Sequence, residues 1–251
     1  MEDAIIVLKQ VSKQYKNTSD IALSAIDLNI YKNQIHGILG PNGAGKTTLI
    51  SMLCGLLKPS TGMITVNSLN FSEHPLEIKQ QIGVVPQEYA LYPTLTAYEN
   101  LLYFGAMYGL SGKTLRENIA ENLELLGLTK FKDKKIKTYS GGMKRRANLI
   151  AGILHRPTIL FLDEPTVGVD VQSKNAIIKQ LKKLNKSGTT IIYTSHHLRE
   201  AQEFCTQVTI LDKGRIITGG SPSELIKNTT GAEILEDVFI SLTGSELRDH
   251  A

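Results

Sequence analysis

GPNGAGKTT, residues Gly40 to Thr48, decides how the rest of the chain is read. From Gly40 to Thr47 it matches the pattern GxxxxGK[ST] without a gap. Glycines let successive backbone N–H groups turn inward and surround phosphate oxygens. Within the loop, Gly40, Pro41, Asn42, Gly43, Ala44 and Gly45 form that cradle, and Lys46 brings a point charge to the β and γ phosphates. Thr47 offers a hydroxyl to Mg²⁺, and Thr48 follows it into the helix. The short apolar run IHGIL enters the loop and TLISMLCGLL leaves it, which predicts a strand, a phosphate loop and a helix ending near Lys58–Pro59. The positive end of that helix faces the same anion.

Further along, TILFLDEP is a continuous apolar run that ends in two carboxylates, as expected for a strand buried on both faces. Asp163 stands where a carboxylate can hold a magnesium shell, and Glu164 where a second one can polarise an attacking water. Loop and strand end together imply that the chain binds and hydrolyses a nucleoside triphosphate. A guanine-reading NKxD loop is absent, since the nearest string, NKSG at Asn185–Gly188, lacks the aspartate. Tyr15 precedes the loop and is either an aromatic platform for adenine or a half-buried strand residue.

The 251 residues suit one large domain or a domain with an inserted lobe, and a 41% hydrophobic share supports a full core. A formal charge of +4 permits an anionic ligand but does not argue for nucleic acid. Cys54 and Cys205 lie far apart, which speaks against a disulfide framework or a zinc site and fits a reducing compartment. No stretch reaches the roughly 18 to 20 apolar residues that span a bilayer. The N-terminal MEDAIIVLKQVSKQY lacks the basic region of a secretory signal, so a soluble, cytoplasmic protein is expected.

Strand patterns dominate the first third: AIIVLKQV, IALSAIDLNI, IHGIL, GMITVN and QIGVVPQ. After Gln87 the texture turns helical, with apolar residues three and four apart in TAYENLLYFGAMYGL and TLRENIAENLELLGL, and again in MKRRANLIAGILH. Residues 88–148 therefore read as a helical lobe inserted in an α/β core. TTIIYTSHH reads as a buried strand, VQSKNAIIKQLKKLNKSG and LREAQEFC as helices, QVTILDKGRIITGG as a hairpin, and the tail as two short helices.

Several short motifs remain, in fixed order: VVPQ ending at Gln87, YSGGM at Tyr139–Met143, TILFLDEP, VGVD ending at Asp170, and TSHH containing His196. With the phosphate loop ahead of them, they make nearly the whole chain resemble the nucleotide-binding subunits of ABC transporters. The resemblance implies a P-loop NTPase core of ABC type with an N-terminal antiparallel β subdomain and the inserted helical lobe. It assigns residues 1–230 to the ATP-binding domain and 231–251 to a short helical tail. It also implies that two such domains dimerise head to tail. Ser140, Gly141 and Gly142 of one subunit then touch the γ-phosphate of the ATP held by the other, and Asp170 works across the interface. Gln87 joins Thr47 and Asp163 in the metal shell, Glu164 is the base, and His196 rather than His197 contacts the γ-phosphate.

Family signatures commonly begin with Leu and end with Gln; here Tyr139 and Met143 take those places. YSGGMKRR and the tail ILEDVFISLTGSELRD resemble the subgroup that pairs with ABC-2-type exporter membrane subunits, drug-resistance exporters among them. The short gap before that tail implies no additional C-terminal domain. The implied partners are a membrane-spanning permease and a second copy or similar subunit, which would hold the protein on the inner face of the membrane. The alternative is a soluble ABC-type ATPase of DNA repair or translation, but the coiled coil, zinc cysteines or second cassette typical of those proteins are missing. Lys144, Arg145 and Arg146 read as a solvated helix start, although positive charge there opposes the helix dipole. They are assigned to no site, and neither are Lys130, Lys132, Lys134, Lys135 and Lys137, which read as facing water or acidic headgroups.

Overall fold

Runs of aliphatic and β-branched residues become strands where the sequence places them. The computed structural model describes residues 4–15, 20–195 and 197–244, so His196 lies outside the described residues. These fall into two units, one drawn from Met1–Lys79 and Thr190–Ala251 and the other from Gln80–Thr189.

The first unit opens with strands β1 (Ala4–Gln14) and β2 (Ile21–Tyr31), paired antiparallel. Inward positions on β2 are Leu23, Ile26 and Ile30. The three-residue step from Leu23 to Ile26 breaks the two-residue strand period, because the pairing with β1 shifts there and Ala25 takes a φ of 49°. Strands β4 (Thr61–Val66) and β5 (Leu69–Asn70) complete an antiparallel sheet of order β2-β1-β4-β5. This is the expected N-terminal β subdomain.

Strand β3 (Ile35–Leu39) is buried at every position and runs parallel to both β8 (Thr190–Ser195) and β9 (Gln207–Asp212). Burying each of its large aliphatic side chains is worth about 1.5–3 kcal/mol. A two-residue turn, Lys213 and Gly214 at φ 46° and 72°, returns β9 into β10 (Arg215–Gly220), as the right-handed twist of a hairpin requires. Helix α1 (Lys46–Leu53) leaves the phosphate loop. It stops short of the expected Lys58–Pro59 end because Gly55 turns the chain at φ 68°. The tail forms α8 (Pro222–Asn228) and α9 (Leu235–Thr243), two short helices as expected; α9 buries Leu235, Val238 and Phe239. Helix α7 (Leu198–Phe204) matches LREAQEF, and its Gln202 accepts a bond from the Leu235 N–H of α9 at 2.8 Å.

The second unit carries the parallel pair β6 (Ile82–Val85) and β7 (Ile159–Asp163). Helix α2 (Pro75–Gln81) leads into β6 and is missing from the sequence reading, since only Ile78 of its seven residues is buried and no period shows. The helical texture after Gln87 resolves into α3 (Ala97–Met107), α4 (Gly112–Leu125) and α5 (Gly141–Ile153). A capping box between Thr96 and Glu99 starts α3. Where α3 meets α4, the Leu115 side chain packs over Gly105: a Cβ there would lie 2.2 Å from Leu115 Cδ1. Helix α6 (Val171–Lys186) follows β7 and ends before Gly188, as expected.

Candidate functional site

In the first unit, the buried β3 stops at Leu39 and the chain turns through Gly40–Gly45 into α1. Gly43 and Gly45 take φ values of 77° and 105°, which side-chain-bearing residues avoid. At Gly40 the constraint is space, because a Cβ would sit 2.2 Å from the Leu211 carbonyl oxygen. A backbone relay braces the loop: Gly214 N–H donates to the Ala44 carbonyl at 3.0 Å, and Ser24 N–H to the Gly214 carbonyl at 2.8 Å. Pro41 and Ala44 are buried, whereas Asn42, Gly43 and Thr47 face outward. Lys46 Nζ folds over the loop and donates to the carbonyls of Gly40 at 2.7 Å and Pro41 at 3.1 Å.

At the end of β1, the Tyr15 hydroxyl lies 3.1 Å from Thr48 Oγ1, and the residue is 42% exposed. The ring is thus tethered at one end to α1 and open on its surface, with Lys13 Nζ 5.7 Å from its centroid. His36, four residues before the loop, is spent structurally. Its Nε2 is 2.8 Å from Thr209 Oγ1, and burial lowers its pKa to about 4. His197 N–H donates to Ser195 Oγ at 2.9 Å at the start of α7.

The second unit gathers most of the remaining candidates. β7 delivers Asp163 at its carboxyl end, and Glu164 follows with φ 47°. A left-handed glutamate is strained, and such strain concentrates at functional sites. β6 ends at Val85, and after Pro86 the side chain of Gln87 donates from Nε2 to Glu164 Oε2 at 2.9 Å. The structure therefore joins two residues that lie 77 positions apart.

Helix α5 begins at the signature. Ser140 is its N-cap and accepts from Met143 N–H at 3.2 Å, so its hydroxyl hydrogen is left to donate outward. Ser140 and Gly141 are exposed, and the first turn carries no acidic residue. Gly142 is buried against the start of α6, where a Cβ would lie 2.2 Å from Ser173 Oγ and 2.6 Å from Asp170 Oδ2. Asp170 caps α6: its carboxylate accepts from Ser173 N at 2.9 Å and Ser173 Oγ at 2.8 Å, which lowers its pKa. Tyr139, the departure at the signature's start, is buried and donates to the Phe131 carbonyl at 2.8 Å; burial raises its pKa to about 12.

The basic cluster after the signature differs from the solvated start read from the sequence. Arg145 is 4% exposed. Its Nη1 donates to the carbonyls of Gln87 at 2.6 Å and Pro86 at 3.4 Å, and its Nη2 to that of Val167 at 3.4 Å. Its guanidinium lies 4.9 Å from the centre of the Tyr89 ring, whose hydroxyl donates to the Gly141 carbonyl at 3.4 Å. Arg146 is also engaged, donating from Nη1 to the Leu126 carbonyl at 2.7 Å. One turn on, Asn148 bonds the Pro86 carbonyl and the Ala90 N–H, each at 3.2 Å. Sequence reasoning missed Arg145, Tyr89, Asn148 and Ser173. A signal exists, because Gly141, Arg145, Asn148 and Gly152 recur at the four- and three-residue steps of one helix face.

A strand, a GxxxxGK[ST] loop and a helix, with an Asp-Glu pair ending another strand, define a P-loop nucleoside triphosphatase. Comparison with known proteins narrows the class. The ABC transporter family model matches residues 23–167. The linearmycin resistance ATP-binding protein LnrL of Bacillus subtilis is 45% identical over 227 residues, 90% of this chain and 71% of that protein. The Nod factor export ATP-binding protein I of Cupriavidus pinatubonensis is 36% identical, over 96% of this chain and 75% of its own length. Among solved structures, a dimeric ATP-binding cassette in a post-hydrolysis state, bound to ADP and Pi, superposes with a TM-score of 0.78 at 29% identity. The match covers 86% of this chain and 98% of that one. The chain belongs to the ABC transporter family, as an ATP-binding and ATP-hydrolysing subunit. Among the described residues no helix is long and apolar enough to cross a membrane.

Proposed function

We propose that the protein powers an ABC-2-type exporter by ATP-driven, head-to-tail pairing of two nucleotide-binding domains. The observation that carries the pairing is the exposed start of α5. Ser140 and Gly141 present an outward hydroxyl donor and a helix N-terminus without acidic residues, a site suited to an anion that this chain's own loop does not need. That anion is the γ-phosphate of the ATP held by the facing subunit. Similarity to resistance and export ATP-binding proteins supports the exporter reading. The partners are then a membrane-spanning permease and a second ATP-binding subunit, and the protein sits on the inner face of the membrane through the permease.

In this reading, Lys46 leaves its loop carbonyls for the β and γ phosphates, and Gly40–Gly45 surround them. The exposed ring of Tyr15 stacks on adenine. The donors suit Mg²⁺: Thr47 has an exposed hydroxyl, Asp163 ends a strand, and Gln87 keeps its amide oxygen while its Nε2 serves Glu164. Phosphate oxygens would supply the remaining ligands. Bound there, the ion would neutralise charge on the phosphates. Glu164 accepts a proton from the attacking water, and His196 stabilises charge at the γ-phosphate. Asp170, through its cap on α6, shapes the surface that meets the partner.

Sizing chromatography of the Glu164→Gln protein with ATP tests the pairing. An ATP-dependent shift from monomer to dimer is expected, and Gly141→Asp in the same background abolishes it by placing a carboxylate against the partner's phosphate. A dimer that still forms with Gly141→Asp would count against the composite site.

A further inference from the structure

The guanidinium of Arg145 has no part in the chemistry above, yet it is buried at the centre of the second unit's catalytic segments. Three backbone carbonyls receive it: Pro86 and Gln87 on one segment, and Val167 just beyond Glu164 on another. Its Nε is buried with no hydrogen-bond partner among the described residues, so the group bears a desolvation cost that packing alone would not require. An apolar side chain would fill the same volume without that cost. The contacts form a continuous chain from the signature to Glu164. The signature's Gly141 carbonyl holds Tyr89, the Tyr89 ring lies under Arg145, Arg145 holds the Gln87 carbonyl, and the Gln87 side chain holds Glu164.

We infer that Arg145 is a positioning residue that fixes Gln87, and through it Glu164, in register with the signature helix. Arg145 itself touches no substrate. A phosphate seated on one end of α5 and the base that acts on the chain's own nucleotide thereby share one rigid support. The inference rests on the reading of Glu164 as the base.

Steady-state hydrolysis by Arg145→Met, Arg145→Lys and Gln87→Ala, alone and combined, provides the test. Arg145→Met is expected to lower kcat by about 10- to 100-fold while KM for ATP stays within about threefold, since the phosphate loop is untouched. Arg145→Lys keeps a charged donor and is expected to recover kcat to within about fivefold of the parent. Because Arg145 acts through Gln87, adding either Arg145 substitution to Gln87→Ala is expected to cost less than about twofold more. Unchanged kcat in Arg145→Met overturns the proposal. So do losses that multiply with those of Gln87→Ala, which would mean independent actions. If the Met variant does not fold, the Lys variant decides by the same cycle. Glu164→Gln is assayed beside them: turnover in that variant defeats the general-base reading. An inactive Glu164→Gln with multiplicative Arg145 and Gln87 effects defeats only the positioning role.

Discussion

Glu164 carries two demands at one position. The proposed mechanism needs its carboxylate at the end of β7, and its backbone is held at φ 47°. Replacing it with Gln keeps shape and removes the proton acceptor, so ATP binding should persist while turnover falls at least about 100-fold. Near-parental hydrolysis would sink the assignment. Glu164→Gly should be equally inactive yet more stable by about 1 kcal/mol, because glycine relieves the backbone strain; a raised Tm checks it. His36 shows a different constraint. Its pKa is about 4 in the folded chain against about 6.5 unfolded, so between these values the unfolded state binds the extra proton. Stability should therefore be fully present above about pH 6.5 and decline as pH falls toward 4, by up to about 3 kcal/mol. Urea melts across this window should lose that slope in His36→Gln. The phosphate loop, Asp163 and Glu164 were legible in the sequence because their types and spacing are local. Arg145 was not. Beside Lys144 and Arg146 it reads as one of three solvated charges, and its real partners are carbonyls, which no residue type announces.

At the scale of elements, the long periodic segments α3, α4, α5 and α6 emerged from their patterns, as did the buried strands β3, β7 and β8. What escaped was short or governed by distant contacts. Helix α2 buries one side chain and so has no amphipathic signal. The bulge in β2 depends on its register with β1. Packing of α3 on α4 hinges on Gly105, where a Cβ would lie 2.2 Å from Leu115 Cδ1. Gly105→Ala gains helix propensity of roughly 1 kcal/mol but drives the buried Leu115 side chain aside, and overpacking of this kind costs about 1–3 kcal/mol. A net loss is expected by thermal melting. Recovery on adding Leu115→Ala would show that the clash, rather than the backbone, is responsible.

For the molecule as a whole, the motifs divide between the two units. The phosphate loop and Tyr15 belong to the first; Gln87, Asp163, Glu164 and the signature belong to the second. Their fixed order along the chain carried the family resemblance, which the comparisons confirm. The relay from Ser24 through Gly214 to Ala44 has its own consequence at this scale. Any motion that frees the Ala44 carbonyl must also unpair the amide of Gly214 at the β9–β10 turn. The amides of Gly214 and Ser24 therefore report on the phosphate loop: their hydrogen exchange should slow or quicken with the opening of the loop and the hairpin turn together.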